Sequence, residues 1–317
     1  MSVTDAFEAL LVRGLRAGIA TLPRPAALRV GAALGDGVRL AGIRRAVARD
    51  NLALAFPDLS HAARGRILVE HYRDLGRIVC EYARAPALVH APPGEVIAAA
   101  RGLEHLDTVQ REGRGAILLT GHYGHFGLLG AWLGRLNPVD FAGKPLANPH
   151  VEAILARIAE QGGVGRIRFD LGARRVFTAL RQNRWVVLIA DQDAGRHGVF
   201  VPFMGRPSST WAGPAQISLR TGSPIVMSFI TRREDGRHEV DVLPPLTLPD
   251  PGAPDAARAL TALHAAILER WVRKHPPMWF WMHRRWKSAP PAARAEPAGE
   301  APGERMTPAE PGLGMRA

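Results

Sequence analysis

Gly115-Ala-Ile-Leu-Leu-Thr120-Gly-His-Tyr-Gly-His125-Phe-Gly-Leu-Leu-Gly130-Ala-Trp-Leu133 is the stretch on which the reading of this chain turns. Ala116 to Leu119 is a short unbroken apolar run, the pattern of a strand buried on both faces. Thr120-Gly121 interrupts it, and Phe126 to Leu133 is apolar for long enough to predict a helix. Two histidines, His122 and His125, fall in the break where strand hands over to helix. Ligands of open α/β sheets gather there, at the carboxyl ends of strands and near helix N-termini. A histidine in a glycine-rich turn is more often a packing residue than a catalyst, so this stretch alone leaves both readings open.

Outward from it, strand and helix patterns alternate. Strands are expected at Val139 to Gly143, Val164 to Phe169, Trp185 to Ala190 and Ile225 to Thr231. Helices are expected at Pro149 to Gln161, Ala173 to Gln182, Ala212 to Thr221 and Asp255 to Lys274. Glu234-Asp-Gly236 reads as the turn of a hairpin into Glu239 to Leu243. Nearer the N-terminus, Ser60 is placed to cap a helix carrying the apolar stripe Ile67, Leu68, His71, Tyr72, Leu75, Ile78, Val79 and Tyr82. The fold class is α/β, a mixed central sheet flanked by helices.

The chain divides in three on this reading. Residues 1–48 form an N-terminal pair of amphipathic helices, over 4–21 and 26–43, rimmed by arginines 44, 45 and 49. Apolar faces rimmed by arginine suit an anionic membrane interface, and equally a helical pair packed on its own domain. Residues 49–287 form the α/β domain. Residues 288–317, rich in proline, alanine, glycine and glutamate without apolar periodicity, read as a disordered tail.

The formal charge is +12 over 317 residues, and Lys144, Lys274 and Lys287 are the only lysines, so arginine dominates. Such a surface favours polyanions, among them anionic lipid headgroups and phosphorylated substrates. The single cysteine, Cys80, excludes an intrachain disulfide and a thiolate metal cluster. No histidine and carboxylate cluster has metal-ligand spacing, and no glycine loop for nucleotide phosphates is present, so neither a metal nor a cofactor is expected.

Three further stretches carry chemistry. Phe141-Ala-Gly-Lys-Pro-Leu-Ala-Asn-Pro149 places Lys144 and Asn148 just beyond a strand. Asp191-Gln-Asp193 ends a buried strand and leads through a glycine-rich loop to Gly205-Arg-Pro207. Pro276-Pro-Met-Trp-Phe-Trp-Met-His-Arg-Arg-Trp-Lys287 interleaves three tryptophans with four basic groups. That last block fits a nucleic-acid surface, a membrane interface or plain core packing.

Together with the opening stretch and Arg49-Asp-Asn-Leu-Ala-Leu-Ala-Phe-Pro57, these blocks resemble the bacterial lipid A late acyltransferases. This is the lauroyl/myristoyl acyltransferase family, within the lysophospholipid acyltransferase-like superfamily. The resemblance implies a glycerolipid-acyltransferase-like fold at the cytoplasmic face of the bacterial inner membrane. It implies transfer of a fatty acyl chain from an acyl carrier protein thioester to a hydroxyl of a phosphorylated glycolipid, with no nucleic-acid partner. In that family a histidine is general base, and a carboxylate five positions later orients it. His122 takes the histidine position, but Gly127 stands where the acid belongs. Three readings stay open: Asp191 or Asp193 orients His122 instead, the enzyme is slow, or the protein binds lipid or carrier without catalysis. An acceptor other than a lipid A precursor is a further alternative. The resemblance assigns Lys144, Asn148, Gln192, Arg206, Arg284 and Arg285 to substrate binding, the arginines for phosphate or carboxylate groups.

Overall fold

The computed structural model describes residues 14, 17–145, 148–169 and 174–290. Most of the expected helix over 4–21 lies outside the described residues, as does the expected tail from 291 onward.

After two helices, α1 (Arg24–Leu40) and α2 (Arg45–Ala55), comes the long α3 (His61–Ala83). Ser60 caps it as its residue type predicts, its hydroxyl accepting the Ala63 N–H at 3.2 Å. α1 lies so close on α3 that a Cβ at Gly35 would fall 2.0 Å from the Tyr72 carbonyl oxygen, so only glycine fits the crossing. A short α4 (Ala85–Val89) leads to β1 (Ile97–Arg101) and α5 (Leu103–Glu112). Neither was legible as an element: β1 is three alanines between Ile97 and Arg101, with no alternation to mark it.

The central α/β region then follows the expected order. β2 (Ala116–Thr120), α6 (Phe126–Leu133), β3 (Val139–Gly143), α7 (Pro149–Gln161), β4 (Val164–Arg168), α8 (Arg174–Arg181) and β5 (Trp185–Ile189) alternate. A hairpin of β6 (Val199–Phe203) and β7 (Arg206–Thr210) precedes α9 (Gly213–Thr221), β8 (Ile225–Arg232), β9 (His238–Pro245) and α10 (Ala256–Lys274). The β6–β7 hairpin turns on Met204 and Gly205, both at positive φ (53° and 73°), as a two-residue turn between twisted strands requires.

Seven strands form one sheet in the order β1-β9-β8-β2-β5-β3-β4. β8, β2, β5, β3 and β4 run parallel, β9 is antiparallel to β8, and β1 is parallel to β9, so the sheet is mixed. β2 and β5 are its buried centre. Alternate residues of each, Ile117 and Leu119 against Ala116 and Leu118, feed separate cores on the two faces. That is why both strands read as continuous apolar runs.

Candidate active site

β2 and β5 pair in register, Thr120 opposite Ile189. Two residues past each strand end, the chain places His122 and Asp191 side by side. Lys144 follows directly on β3, the next strand across. Three candidate residues thus share the carboxyl edge of the sheet, where parallel strands build their ligand sites.

The turn after β2 depends on Gly124. Its φ is +53°, and a Cβ there would lie 2.1 Å from the Ile230 carbonyl oxygen, so an L side chain is excluded. Tyr123 points into the core and exchanges a hydrogen bond with Thr231 at 3.0 Å. His125 caps α6, its Nδ1 accepting the Leu128 N–H at 3.2 Å. Burial pushes its pKa down to about 3, so it is a neutral cap and not a base.

His122 is held differently. Its Nδ1 meets Asp191 Oδ1 at 2.7 Å, and its backbone N–H donates to Asp191 Oδ2 at 2.8 Å. Trp279 Nε1 donates to the same Oδ2 at 2.7 Å. The carboxylate is thus almost wholly enclosed, 2% exposed, while the imidazole is 29% exposed. Burial alone would raise the Asp191 pKa, but the His122 charge and the three donors take it below the ordinary range. Burial would likewise lower the His122 pKa, and the Asp191 charge and hydrogen bond outweigh it, leaving the imidazole more basic than usual. With Nδ1–H on the carboxylate, the other ring nitrogen, Nε2, is an acceptor, 3.4 Å from the Gln192 amide nitrogen.

Asp193, the other candidate, is engaged elsewhere. Its oxygens accept from the Gly195 N–H and from both N–H and hydroxyl of Ser288. An acid at position 127 has no room: a Cβ on Gly127 would stand 2.2 Å from the Tyr82 hydroxyl. Tyr82 carries no hint of this in the sequence beyond its place on the α3 stripe.

His122, Gln192 and Lys144 open on a groove of about 960 Å³. Its walls are mainly apolar, with Val89, Phe126, Ala131, Phe141 and Val164 among them, and Arg166 adds a cation paired with Glu152 at 2.7 Å. A groove of this size, apolar with a few convergent polar groups, has the make-up of a ligand site.

The Pro276–Lys287 block scaffolds this site from inside the core. Trp279 and Trp281 are 2% and 0% exposed. The Phe280 N–H donates to the His122 carbonyl at 2.9 Å and the Gly124 N–H to the Met278 carbonyl at 2.8 Å. Asn51, from the Arg49–Pro57 block, donates its amide to the Trp281 and His283 carbonyls at 2.8 and 2.6 Å. These are the residues that sequence reasoning missed as site supports; the signal was there, as two separate blocks, without anything to join them.

The remaining candidates divide. The Asn148 carbonyl accepts the Glu152 N–H at 3.0 Å at the start of α7. Arg206 and Arg284 are exposed and stand outside the residues lining the groove. Arg285 corrects the expectation of a substrate contact. It is 1% exposed, and its Nη1 and Nη2 donate to the Ser209 carbonyl and the Thr210 hydroxyl, inside the core.

The description "Bacterial lipid A biosynthesis acyltransferase" matches residues 1–288. The chain belongs to that family. It is 28% identical to a lipid A biosynthesis lauroyltransferase of Escherichia coli (strain K12), over 86% of this chain and 89% of that protein. To a lipid A biosynthesis palmitoleoyltransferase of the same organism it is 26% identical, over 85% and 87%. A phosphatidylinositol mannoside acyltransferase of Mycobacterium tuberculosis (strain ATCC 25618 / H37Rv) is 27% identical, over 75% and 76%. This member of the family is an acyltransferase, and the geometry above describes a site at which its chain brings a histidine, a carboxylate and an apolar groove together.

Proposed function

We propose that the protein moves a fatty acyl chain from the thioester of an acyl carrier protein to a hydroxyl of a lipid A precursor, with His122 as general base and Asp191 as its orienting acid. The observation that carries this is the His122–Asp191 pair at the edge of the apolar groove. The acceptor hydroxyl gives its proton to His122 Nε2 as its oxygen attacks the thioester carbonyl carbon. The C–S bond then breaks, and the proton passes from the imidazolium to the leaving thiolate. Asp191 holds the tautomer that leaves Nε2 free and favours the imidazolium formed on the way. The groove takes the acyl chain. Lys144 at its wall serves a phosphate or the developing oxyanion, with Gln192 beside the base.

The dyad supports an active enzyme over a lipid binder without turnover, because the acid absent at Gly127 is supplied by Asp191. An acceptor of another class is the second reading, favoured by the similarity to phosphatidylinositol mannoside acyltransferases. The test is transfer of radiolabelled acyl chains from acyl carrier protein to a panel of lipid A precursor and phosphatidylinositol mannoside. Wild type labels the lipid A precursor, and His122→Ala labels nothing; unimpaired labelling by that variant would sink the assignment.

On this reading the enzyme works at the cytoplasmic face of the bacterial inner membrane. No helix among the described residues is long and apolar enough to cross a membrane. α1 offers a peripheral contact instead. Val30, Leu34 and Val38 recur every fourth residue and are exposed, as are Leu40 and Ile43 beyond them. Arg29, Arg44, Arg45 and Arg49, on the same stretch of chain, are exposed too. Apolar area plus basic charge is the combination that holds a protein on anionic lipid. Leu34→Glu with Val38→Glu is expected to release the protein from vesicles containing phosphatidylglycerol in a flotation assay, and retention would refute the contact.

A further inference from the structure

Asp191 also faces a second, much smaller cavity inside the core, of about 10 Å³, the room of a single water molecule. Its polar lining is Thr120, Asp191, Thr210, His264 and Arg285, and apolar side chains close the rest. Three of these bring an atom that has no hydrogen-bond partner among the described residues: Thr120 Oγ1, His264 Nε2 and Arg285 Nε. Their residues are 4%, 4% and 1% exposed. A buried polar atom left dry is costly, so three of them on residues that line one cavity require an explanation.

Arg285 makes the requirement stronger. Its Nη1 and Nη2 meet neutral oxygens, the Ser209 carbonyl and the Thr210 hydroxyl, and the Phe203 ring lies 5.3 Å from its Cζ. Among the described residues no carboxylate pairs with it directly. A buried guanidinium is tolerated where an anion lies close, and the carboxylate lining this cavity is Asp191. Asp191 has one acceptor position to give. Its two oxygens offer about four lone pairs, and three are taken by His122 Nδ1, the His122 N–H and Trp279.

We propose that the cavity is a one-water site through which Arg285 acts as a positioning residue for the His122–Asp191 pair. The Arg285 Nε–H donates to the water, and the water donates to Asp191 Oδ1. Thr120 and His264 hold it in place. Four polar partners are the full complement a buried water can take. The water also joins the buried cation to the dyad without letting it neutralise the carboxylate by a direct pair.

The other groups facing Asp191 leave Arg285 as the charge that matters. His264, on α10, is held neutral, burial pushing its pKa down to about 4. His283, on the C-terminal block, is likewise lowered by burial. Asp193 is turned to Ser288, with Lys287 Nζ 3.9 Å away. Arg285 itself stays a cation at neutral pH, although burial brings its pKa down to about 10.

The catalytic meaning rests on the dyad proposed above, but the test does not need turnover. Histidine-ring and carboxyl NMR titrations of the full-length protein, without substrate, read the two midpoints of the pair. Removing the cation favours protonation, so Arg285→Met is expected to raise both midpoints by roughly one pH unit. Thr120→Val keeps the cation and the packing but removes an anchor of the water. It is expected to raise the Asp191 midpoint by about half a unit, through loss of a donor to the charged form. It is also expected to abolish the long-lived water cross-peak to the ring of His264. A folded Arg285→Met protein with both midpoints within about 0.2 unit of wild type overturns the proposal. Should that variant not fold, an unshifted Asp191 midpoint in Thr120→Val overturns it instead. Absence of acyl transfer by wild type, with the NMR shifts intact, would count against the acyltransferase mechanism and leave this positioning role standing.

Discussion

Asp191 lies 69 residues beyond His122, and the two meet because β2 and β5 are neighbours in register. The acid five positions after the histidine, which the family pattern leads one to expect, would have to stand at Gly127, where the Tyr82 hydroxyl already is. Two outcomes follow at this scale. Asp191→Asn should lower kcat by about 10²–10⁴, since the imidazole loses its tautomer and its countercharge together. The sign of the pH effect is fixed: the Asp191 charge raises the His122 pKa, so without it the acid limb of kcat/KM moves to lower pH. A rate profile over pH for both proteins checks both statements. Gly127→Asp, which restores the family motif on paper, should instead destabilise by about 1–3 kcal/mol through overpacking against Tyr82, measured by urea unfolding. Recovery of activity above wild type in that variant would contradict this account.

Among the elements, the turn after β2 and the segment from Pro276 onward behave as one unit. Backbone bonds from Gly124 and Phe280 tie them, and Asn51 clamps the far side of the segment. Asn51→Ala leaves the Trp281 and His283 carbonyls without their donor. A loss of about 1–3 kcal/mol is expected in denaturant unfolding, with a fall in kcat because Trp279 loses its hold on Asp191. The elements themselves were largely readable. Ser60 announced the start of α3, and the apolar runs announced β2 and β5, because capping and full burial are local demands on residue type. The tryptophan block was not readable in the same way. Its composition suits a core, a membrane interface or a nucleic-acid groove alike, and only its partners decide among them.

For the whole molecule, a buried charge network joins the N-terminal helices α1 and α3 to the sheet. Arg232 of β8 meets Asp74 at 2.6 Å and Glu81 at 2.8 Å, both on α3, and Glu81 also takes His238 at 3.1 Å and Arg24 at 3.0 Å. Burial would raise the Glu81 pKa, but the charges and hydrogen bonds of His238 and Arg232 bring it well below the ordinary glutamate range. A carboxylate with a depressed folded pKa contributes stability above its unfolded pKa and loses it as pH falls through the folded one. The protein should therefore lose stability steeply below about pH 4.5, and Glu81→Gln should flatten that slope while lowering stability at neutral pH. Urea midpoints between about pH 3 and pH 7 test it. The α/β class, the strand-to-helix turn at His122 and the candidate acids were all legible in the chain, since these rest on periodicity and residue type over a few positions. The tertiary structure alone decided that Asp191 and not Asp193 meets the histidine, that Tyr82 bars an acid at Gly127, and that Arg285 is buried behind the dyad. Those are matters of strand order and register, which bring together side chains that no local spacing relates.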